Sequence, residues 1–370
     1  MIVTIISFVI ILSVLVLVHE AGHFLVAKLL KIKVEEFGFG LPPRIGGIKF
    51  GETLYSINWL PIGGFVKLYG EDEAGSGSVS LKKLHVSKKD ADRAYFSRPK
   101  WQKALVVSAG VIMNFLLAAV LISFLYAYVG VPVPNKKVVI AAVVKGSPAE
   151  IAGLKVGDVV EKVSGNTITD TTQLINIAHK NEGKEITITV YSTEKKVSVI
   201  KITPRVNFPK NEGPMGIAIS PGTDIKKYSW LEAPIVGTKE AIKETGMIAS
   251  GLVSLLMQLI TKGAVPSDVA GPVGIAQLTG QVVSIGFYAV LSFVSLLSLN
   301  LAIINILPFP ALDGGRLLFI VIEAVTRKKV NPVIEGYAHT IGMAILLALI
   351  ALITLHDILR VISGQPLLPK

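Results

Sequence analysis

An apolar run over about residues 2–30 constrains this chain more than any other feature. It is long enough to cross a bilayer as a helix, and its second half carries His19-Glu20-Ala21-Gly22-His23. Residues four apart share a helix face, so both imidazoles can reach one ion with Glu20 beside it. Two histidines leave room on a zinc ion for a third protein ligand and a water. Zinc lowers that water's pKa to about 7, and a neighbouring glutamate can take the proton. Ionisable groups inside a membrane-length segment are expensive, so these three mark a functional site rather than packing.

Composition agrees. The chain has 370 residues, 51% hydrophobic and only 17% charged, which points to a polytopic α-helical membrane protein. The formal net charge of +11 comes from lysines and arginines gathered beside apolar segments, a pattern of topology or of contact with membrane lipid and not of nucleic-acid binding. Cysteine is absent, which excludes disulfides and thiolate metal sites. The first apolar run has no basic leader and carries the histidine pair, so it reads as a retained transmembrane helix.

Three further spans are expected over residues 104–129, 286–307 and 337–359, about four in all. Arg93, Arg98, Lys100 and Lys103 precede the second span, and Arg316, Arg327, Lys328 and Lys329 lie between the last two. Both connections are therefore expected in the cytoplasm, with both termini outside and the histidine pair toward the cytoplasmic half. Gly110 and Asn114 share a face of the second span and suit close helix packing with an interhelical hydrogen bond. His179, His339 and His356 read as single surface, packing or interfacial histidines.

The connections have their own character. After a Gly/Pro-punctuated stretch, residues 48–50, 53–59 and 65–68 read as short strands with Gly63-Gly64 at a turn, giving a β-ribbon over about 48–68. It is either a soluble ribbon or one that touches the membrane. Residues 71–80 are polar and rich in Gly and Ser, a loop pattern. Residues 136–220 alternate strand-like runs with one helix, 172–179. There Gly146-Ser147-Pro148-Ala149, Ala152-Gly153-Leu154, Gly157-Asp158 and Ser164-Gly165-Asn166 resemble the bacterial PDZ pattern. Met215, Gly216 and Ile217 would then form the peptide-carboxylate loop and the strand after it, if the module is more than a spacer or gate. Residues 228–262 are amphipathic and fit a helix at a membrane surface or packed under that module. The chain thus divides into residues 1–130 (first half of a membrane core), 136–220 (inserted α+β module), 221–285 (amphipathic helix and linker) and 286–370 (second half of the core).

The third span ends in Asn305-Ile306-Leu307-Pro308-Phe309-Pro310-Ala311-Leu312-Asp313-Gly314-Gly315-Arg316. Two prolines cannot continue a helix, so the backbone opens here. An aspartate on broken backbone at membrane depth makes sense facing protein or a wet cavity. The expected topology puts Asp313 on the same side as His19 and His23, and a His, His, Asp set with an open position describes a catalytic zinc.

Together these motifs resemble the site-2 protease family of intramembrane zinc metalloproteases, and within it the bacterial regulator-of-sigma-E protease group. The resemblance covers essentially the whole chain, including Pro61-Ile62-Gly63-Gly64-Phe65-Val66-Lys67. It departs in having one PDZ-like module where the best-known member has two, and in Val111 after Gly110. It implies a multi-pass protein of the bacterial inner membrane, an extracytoplasmic PDZ domain and a site toward the cytoplasm. In it, His19, His23 and Asp313 would hold Zn2+ and Glu20 would be the catalytic base. The ribbon would be a membrane-reentrant element that pairs with an unwound substrate, with Asn58, Gly64 and Asn305 as substrate contacts. Single-span membrane proteins would be the substrates, such as anti-sigma factors already trimmed by a first, site-1 protease, or signal-peptide remnants. The alternative from another class is a membrane adaptor that recruits peptides through its PDZ module without catalysis.

Overall fold

The computed structural model describes residues 2–71, 91–192, 196–209, 211–262 and 270–363. Nearly all of the polar loop expected over 71–80 lies outside them. The described chain forms two compact units, one built from residues before 129 and after 228, the other from Val129–Tyr228.

The first unit is helical. Its helices are α1 (Ile2–Leu29), α2 (Lys100–Tyr128) and, after the second unit, α5 (Ala233–Lys262), α6 (Pro272–Ile285), α7 (Phe287–Ile306), α8 (Asp313–Thr326) and α9 (Pro332–Ile362). Among the described residues, four are long and apolar enough to cross a membrane: α1, α2, α7 and α9. Their outer faces expose Ile5, Ile6, Ile10, Ile341, Ile345, Leu352 and Leu355, side chains suited to lipid. Their inner faces meet in small clusters, with Ile11 and Leu15 of α1 against Val294 of α7, and Leu117 and Leu121 of α2 packed on them. Ser298 of α7 donates its hydroxyl to the Asn114 carbonyl at 2.7 Å, a buried link between α7 and α2. α1 crosses α2 closely. A Cβ on Gly22 would lie 2.4 Å from the Ala109 carbonyl oxygen, and one on Gly110 would strike the His19 and His23 rings at 2.5 Å. Only glycine allows that approach.

The amphipathic stretch, expected at a membrane surface or under the inserted module, forms α5, which packs along α2. Ala241 of α5 shares a buried cluster with Ala118, Ala119, Ile122 and Leu299. Small residues on both helices bring them together there, while Lys239, Glu240, Lys243 and Glu244 of α5 lie outside that cluster.

Between α1 and α2 the chain forms two long antiparallel strands, β1 (Val34–Phe50) and β2 (Thr53–Leu68). Their register is that of a hairpin folded on itself. Residues 53–58 pair with 44–50 on one side and with 36–39 on the other, while 34–39 also pair with 64–68. The order across the ribbon is therefore 44–50, 53–58, 34–39, 64–68, with 64–68 as one edge. The strand over 34–39 was not expected from the sequence, because Gly38, Gly40, Pro42 and Pro43 obscure its alternation. Ser13 of α1 donates to the Pro61 carbonyl at 2.8 Å, fixing the 60–63 bend on α1.

The second unit is an antiparallel sheet with two helices. Its strands are β3 (Val131–Val143), β4 (Val159–Val163), β5 (Asn166–Thr167), β6 (Ile186–Tyr191), β7 (Val197–Ile202) and β8 (Ile217–Lys226), ordered β7-β6-β4-β3-β8 with β5 on β4. The short α3 (Pro148–Ile151) is capped by the Ser147 hydroxyl, and α4 (Thr171–Lys180) by the Asp170 carboxylate. The inward residues Val138, Ile140, Val160, Val163, Ile186, Ile188 and Val190 form one core with Leu174 and Ala178 of α4. β3 begins earlier than the prolines suggest. Residues 131–134 pair only with 223–226 of β8, a two-stranded extension where Pro132 and Pro134 interrupt no central ladder. β8 is an edge strand of this sheet.

Candidate metal centre

The α1 helix turns His19 and His23 to the same side, and the open backbone after α7 delivers Asp313 to meet them. The two Nε2 atoms are 3.2 Å apart. Asp313 Oδ2 lies 3.0 Å from His19 Nε2 and 3.2 Å from His23 Nε2. His19 is buried, and His23 and Asp313 nearly so.

The protonation of this trio can be argued from its neighbours. His23 Nδ1 lies 2.7 Å from the Val106 carbonyl, which can only accept. Nδ1 therefore carries the proton and Nε2 presents a lone pair. Asp313 Oδ2 is buried with no hydrogen-bond partner. A neutral imidazole lone pair and a carboxylate oxygen at this distance repel unless a cation lies between them. Two imidazole nitrogens and one carboxylate oxygen with a side left open suit a catalytic zinc. These residues fit the metal.

Around the trio lies a cavity of about 760 Å³. Glu20, His23 and Asp313 line it on one side, and the ribbon edge from Gly64 to Leu68 lines it on another. Gly64 lies against Glu20: a Cβ there would stand 3.8 Å from Glu20 Cγ. Glu71 joins edge to helix, since it accepts from the Leu68 N–H and pairs with Arg316 of α8. At the far turn of the ribbon Glu52 lies 2.7 Å from Arg93 and 3.0 Å from Lys28. The Arg93 hydrogen bond above all, with Lys28, holds its carboxyl down at about 2.

The expected substrate contacts divide. Gly64 lines the cavity. The Asn305 amide nitrogen sits 3.4 Å from His19 Nε2. Asn58 is a correction: it is 3% exposed, and its amide donates to the Phe39 and Gly40 carbonyls at 3.2 Å. It braces the bend of the ribbon and has no donor left to offer there. In the second unit, the Met215 side chain belongs to the core and its carbonyl accepts the Ala149 N–H, so no peptide contact is expected of that side chain. Gly216 and Ile217 lead into the β8 edge.

Sequence reasoning missed three parts. The Val106 carbonyl orients His23, and no side-chain motif encodes it. The Asn114 amide lies 3.4 Å from His19 Nδ1. Its place four residues after Gly110, opposite the histidine pair, was the available signal. His339 of α9, read as a packing residue, also lines the cavity.

Comparisons with known proteins show the family to which the chain belongs. The model of peptidase family M50 matches residues 7–349. A Clostridium acetobutylicum protein named as a zinc metalloprotease is 35% identical over 95% of this chain and 96% of its own length. The regulator of sigma-W protease RasP of Bacillus subtilis is 31% identical, covering 96% of this chain and 98% of its own. The zinc metalloprotease RasP of Geobacillus kaustophilus is also 31% identical, covering 96% and 97%. Among solved structures, the PDZ domain of an SdrC-like protein from Listeria monocytogenes matches 24% of this chain and 93% of its own, at 22% identity and a TM-score of 0.21. The adaptor alternative gives way to an enzyme that uses zinc. By its family match and its full-length relatives, this chain belongs to peptidase family M50, the site-2 type of zinc metalloprotease.

Proposed function

We propose that His19, His23 and Asp313 hold the zinc of this protease, and that Glu20 is the base that activates water against a peptide bond in or near a substrate's transmembrane helix. The observation that carries this reading is the convergence of three electron-pair donors within about 3 Å, one with its proton held on the far side of the ring by Val106. Bound there, zinc supplies Lewis-acid polarisation of the scissile carbonyl and acidifies a water. Glu20 takes that water's proton on its carboxylate and passes it to the leaving amine nitrogen as the C–N bond breaks. Asn305, beside His19, is placed to donate to a substrate carbonyl.

A transmembrane helix hides its peptide groups in its own hydrogen bonds, so cleavage requires local unwinding. The ribbon edge over 64–68 pairs on one side only among the described strands, and its other side faces the cavity. An unwound substrate segment can add to that edge as a strand and recover its hydrogen bonds beside Glu20. The exposed Ile45, Ile48, Phe50, Ile57 and Trp59 suit a ribbon that dips into lipid. The basic connections on either side of the site support a cytoplasmic side for it and an extracytoplasmic one for the module of residues 129–228. That module acts as a PDZ domain whose β8 edge screens peptide ends or bulky ectodomains. The substrates are single-span proteins already trimmed by a first protease, of the anti-sigma-factor or signal-remnant kind. The experiment is cleavage of a membrane-anchored single-span reporter by wild type and Glu20→Gln at equal protein levels. Glu20→Gln should abolish cleavage while keeping zinc, and full cleavage by that variant would defeat the assignment.

A further inference from the structure

The loop that carries Asp313 is held in a conformation that a free chain would not favour. Ala311, two residues before the aspartate, has φ +82°. L-residues rarely adopt that left-handed region, and a non-glycine residue there needs something to hold it. The local backbone bonds, Leu312 N–H to Phe309 and Gly315 N–H to Leu312, leave the Ala311 N–H for another partner. That partner comes from α9: the Ala311 N–H donates to His339 Nδ1 at 2.9 Å.

A backbone N–H can only donate, so Nδ1 accepts and the proton of this imidazole sits on Nε2. His339 is 5% exposed, and Nε2 has no hydrogen-bond partner. The nearest carboxylate oxygen, on Glu335, is 3.9 Å away and beyond hydrogen-bond reach. The ring otherwise meets Phe319, with centroids 5.7 Å apart. Burying an imidazole with one nitrogen orphaned is expensive, and a leucine would fill the same space without that cost. What a leucine could not do is accept the Ala311 N–H. The next turn of α9 grips the same loop, because a Cβ on Gly342 would lie 2.4 Å from the Pro310 carbonyl oxygen.

We infer that His339 is a positioning residue for the metal centre: it clamps Ala311 in its left-handed conformation and so aims the Asp313 carboxylate at His19 and His23. The inference rests on the proposed role of Asp313 as a zinc ligand. Docking of α9 at His339 and Gly342 and completion of the metal site are then one event.

The test is zinc affinity by chelator competition on the purified full-length protein, with kcat and KM for the reporter measured at saturating zinc. His339→Leu should bind zinc about 10- to 100-fold more weakly, the usual loss when a group that orients a ligand is removed. His339→Asn, whose amide oxygen can accept near the Nδ1 position, should stay within several-fold of wild type. Ala311→Gly should shrink the effect of His339→Leu, because glycine adopts the left-handed conformation at little cost. Wild-type zinc affinity in His339→Leu overturns the inference. So does a His339→Asn variant that folds in full yield yet loses zinc as badly as the leucine variant, since that would mean packing alone. Should His339→Leu not accumulate, Gly342→Ala probes the same clamp: about tenfold weaker zinc supports it and unchanged binding overturns it. Asp313→Ala separates the two readings. If it keeps zinc, the ligand assignment fails; if it loses zinc while His339→Leu does not, only the positioning role fails.

Discussion

Asn114 shows how much of a metal site can be carried by residues that never touch the metal. It is fully buried, and its amide oxygen has no partner while the amide lies 3.4 Å from His19 Nδ1. If His19 Nε2 faces the zinc, its Nδ1 keeps a proton that needs an acceptor. Turning the Asn114 amide over brings its oxygen to Nδ1 and gives both groups a partner. Asn114→Leu should therefore weaken zinc binding about 10- to 100-fold, while Asn114→Asp, which keeps an acceptor, should hold zinc far better. Equal loss in both variants, read by chelator competition, would reduce Asn114 to helix packing. The proposed ligands stood out in the sequence, because His19-Glu20-Ala21-Gly22-His23 and Asp313 are unusual in apolar spans. The groups that orient them were not. A backbone carbonyl at Val106 and an N–H at Ala311 belong to no residue pattern, and His339 looks like any buried helix histidine.

At the scale of elements, the site depends on how closely α1 crosses α2 and on where the ribbon edge lies. Gly110→Ala would drive a methyl group into the His19 and His23 rings, the proposed zinc ligands. That variant should lose at least about tenfold in zinc affinity, measured on protein recovered at normal yield. Along the ribbon edge, successive N–H groups alternate between the paired side and the cavity side. Proline placed at 66 and at 67 in turn should therefore give one variant that lowers reporter cleavage with zinc retained. Unchanged cleavage in both would remove strand addition from the account. The ribbon's far turn supplies a pH test. Glu52 sits at about 2, below its ordinary 4.5, chiefly through Arg93 and then Lys28. A depressed carboxyl stabilises above the unfolded value and loses that stabilisation as pH falls from about 4.5 toward 2. Glu52→Gln should cost less than about 1 kcal/mol at neutral pH, since the pair is solvent-screened, and should match wild type near pH 2. Thermal unfolding across that range checks it, and a gap between the two that widened toward acid would contradict it. The strand over 34–39 escaped the sequence because glycines and prolines mask its period. The packing of α5 along α2 escaped it because an amphipathic pattern does not say whether lipid, solvent or another helix lies beside it.

For the whole molecule, one break in a helix does the joining. The opening span carries two imidazoles, and the chain returns nearly three hundred residues later, by sequence number, with the aspartate that completes the set. Membrane helices were legible by length and apolarity, and the inserted module by its strands and turns. The pairing between distant spans was legible only through the chemistry their residues share. If the module of residues 129–228 screens substrates, its removal should change which reporters are cut while leaving zinc content as it was. Selectivity indistinguishable from wild type would contradict that role. The most direct test of the central claim is the zinc content of purified wild type, His23→Ala and Asp313→Ala, measured by metal mass spectrometry at equal protein concentration. The account predicts about one zinc per chain in wild type and less than about a tenth of that in each variant. Asp313→Ala protein that retained a full equivalent of zinc would show that the two distant spans do not share the ion.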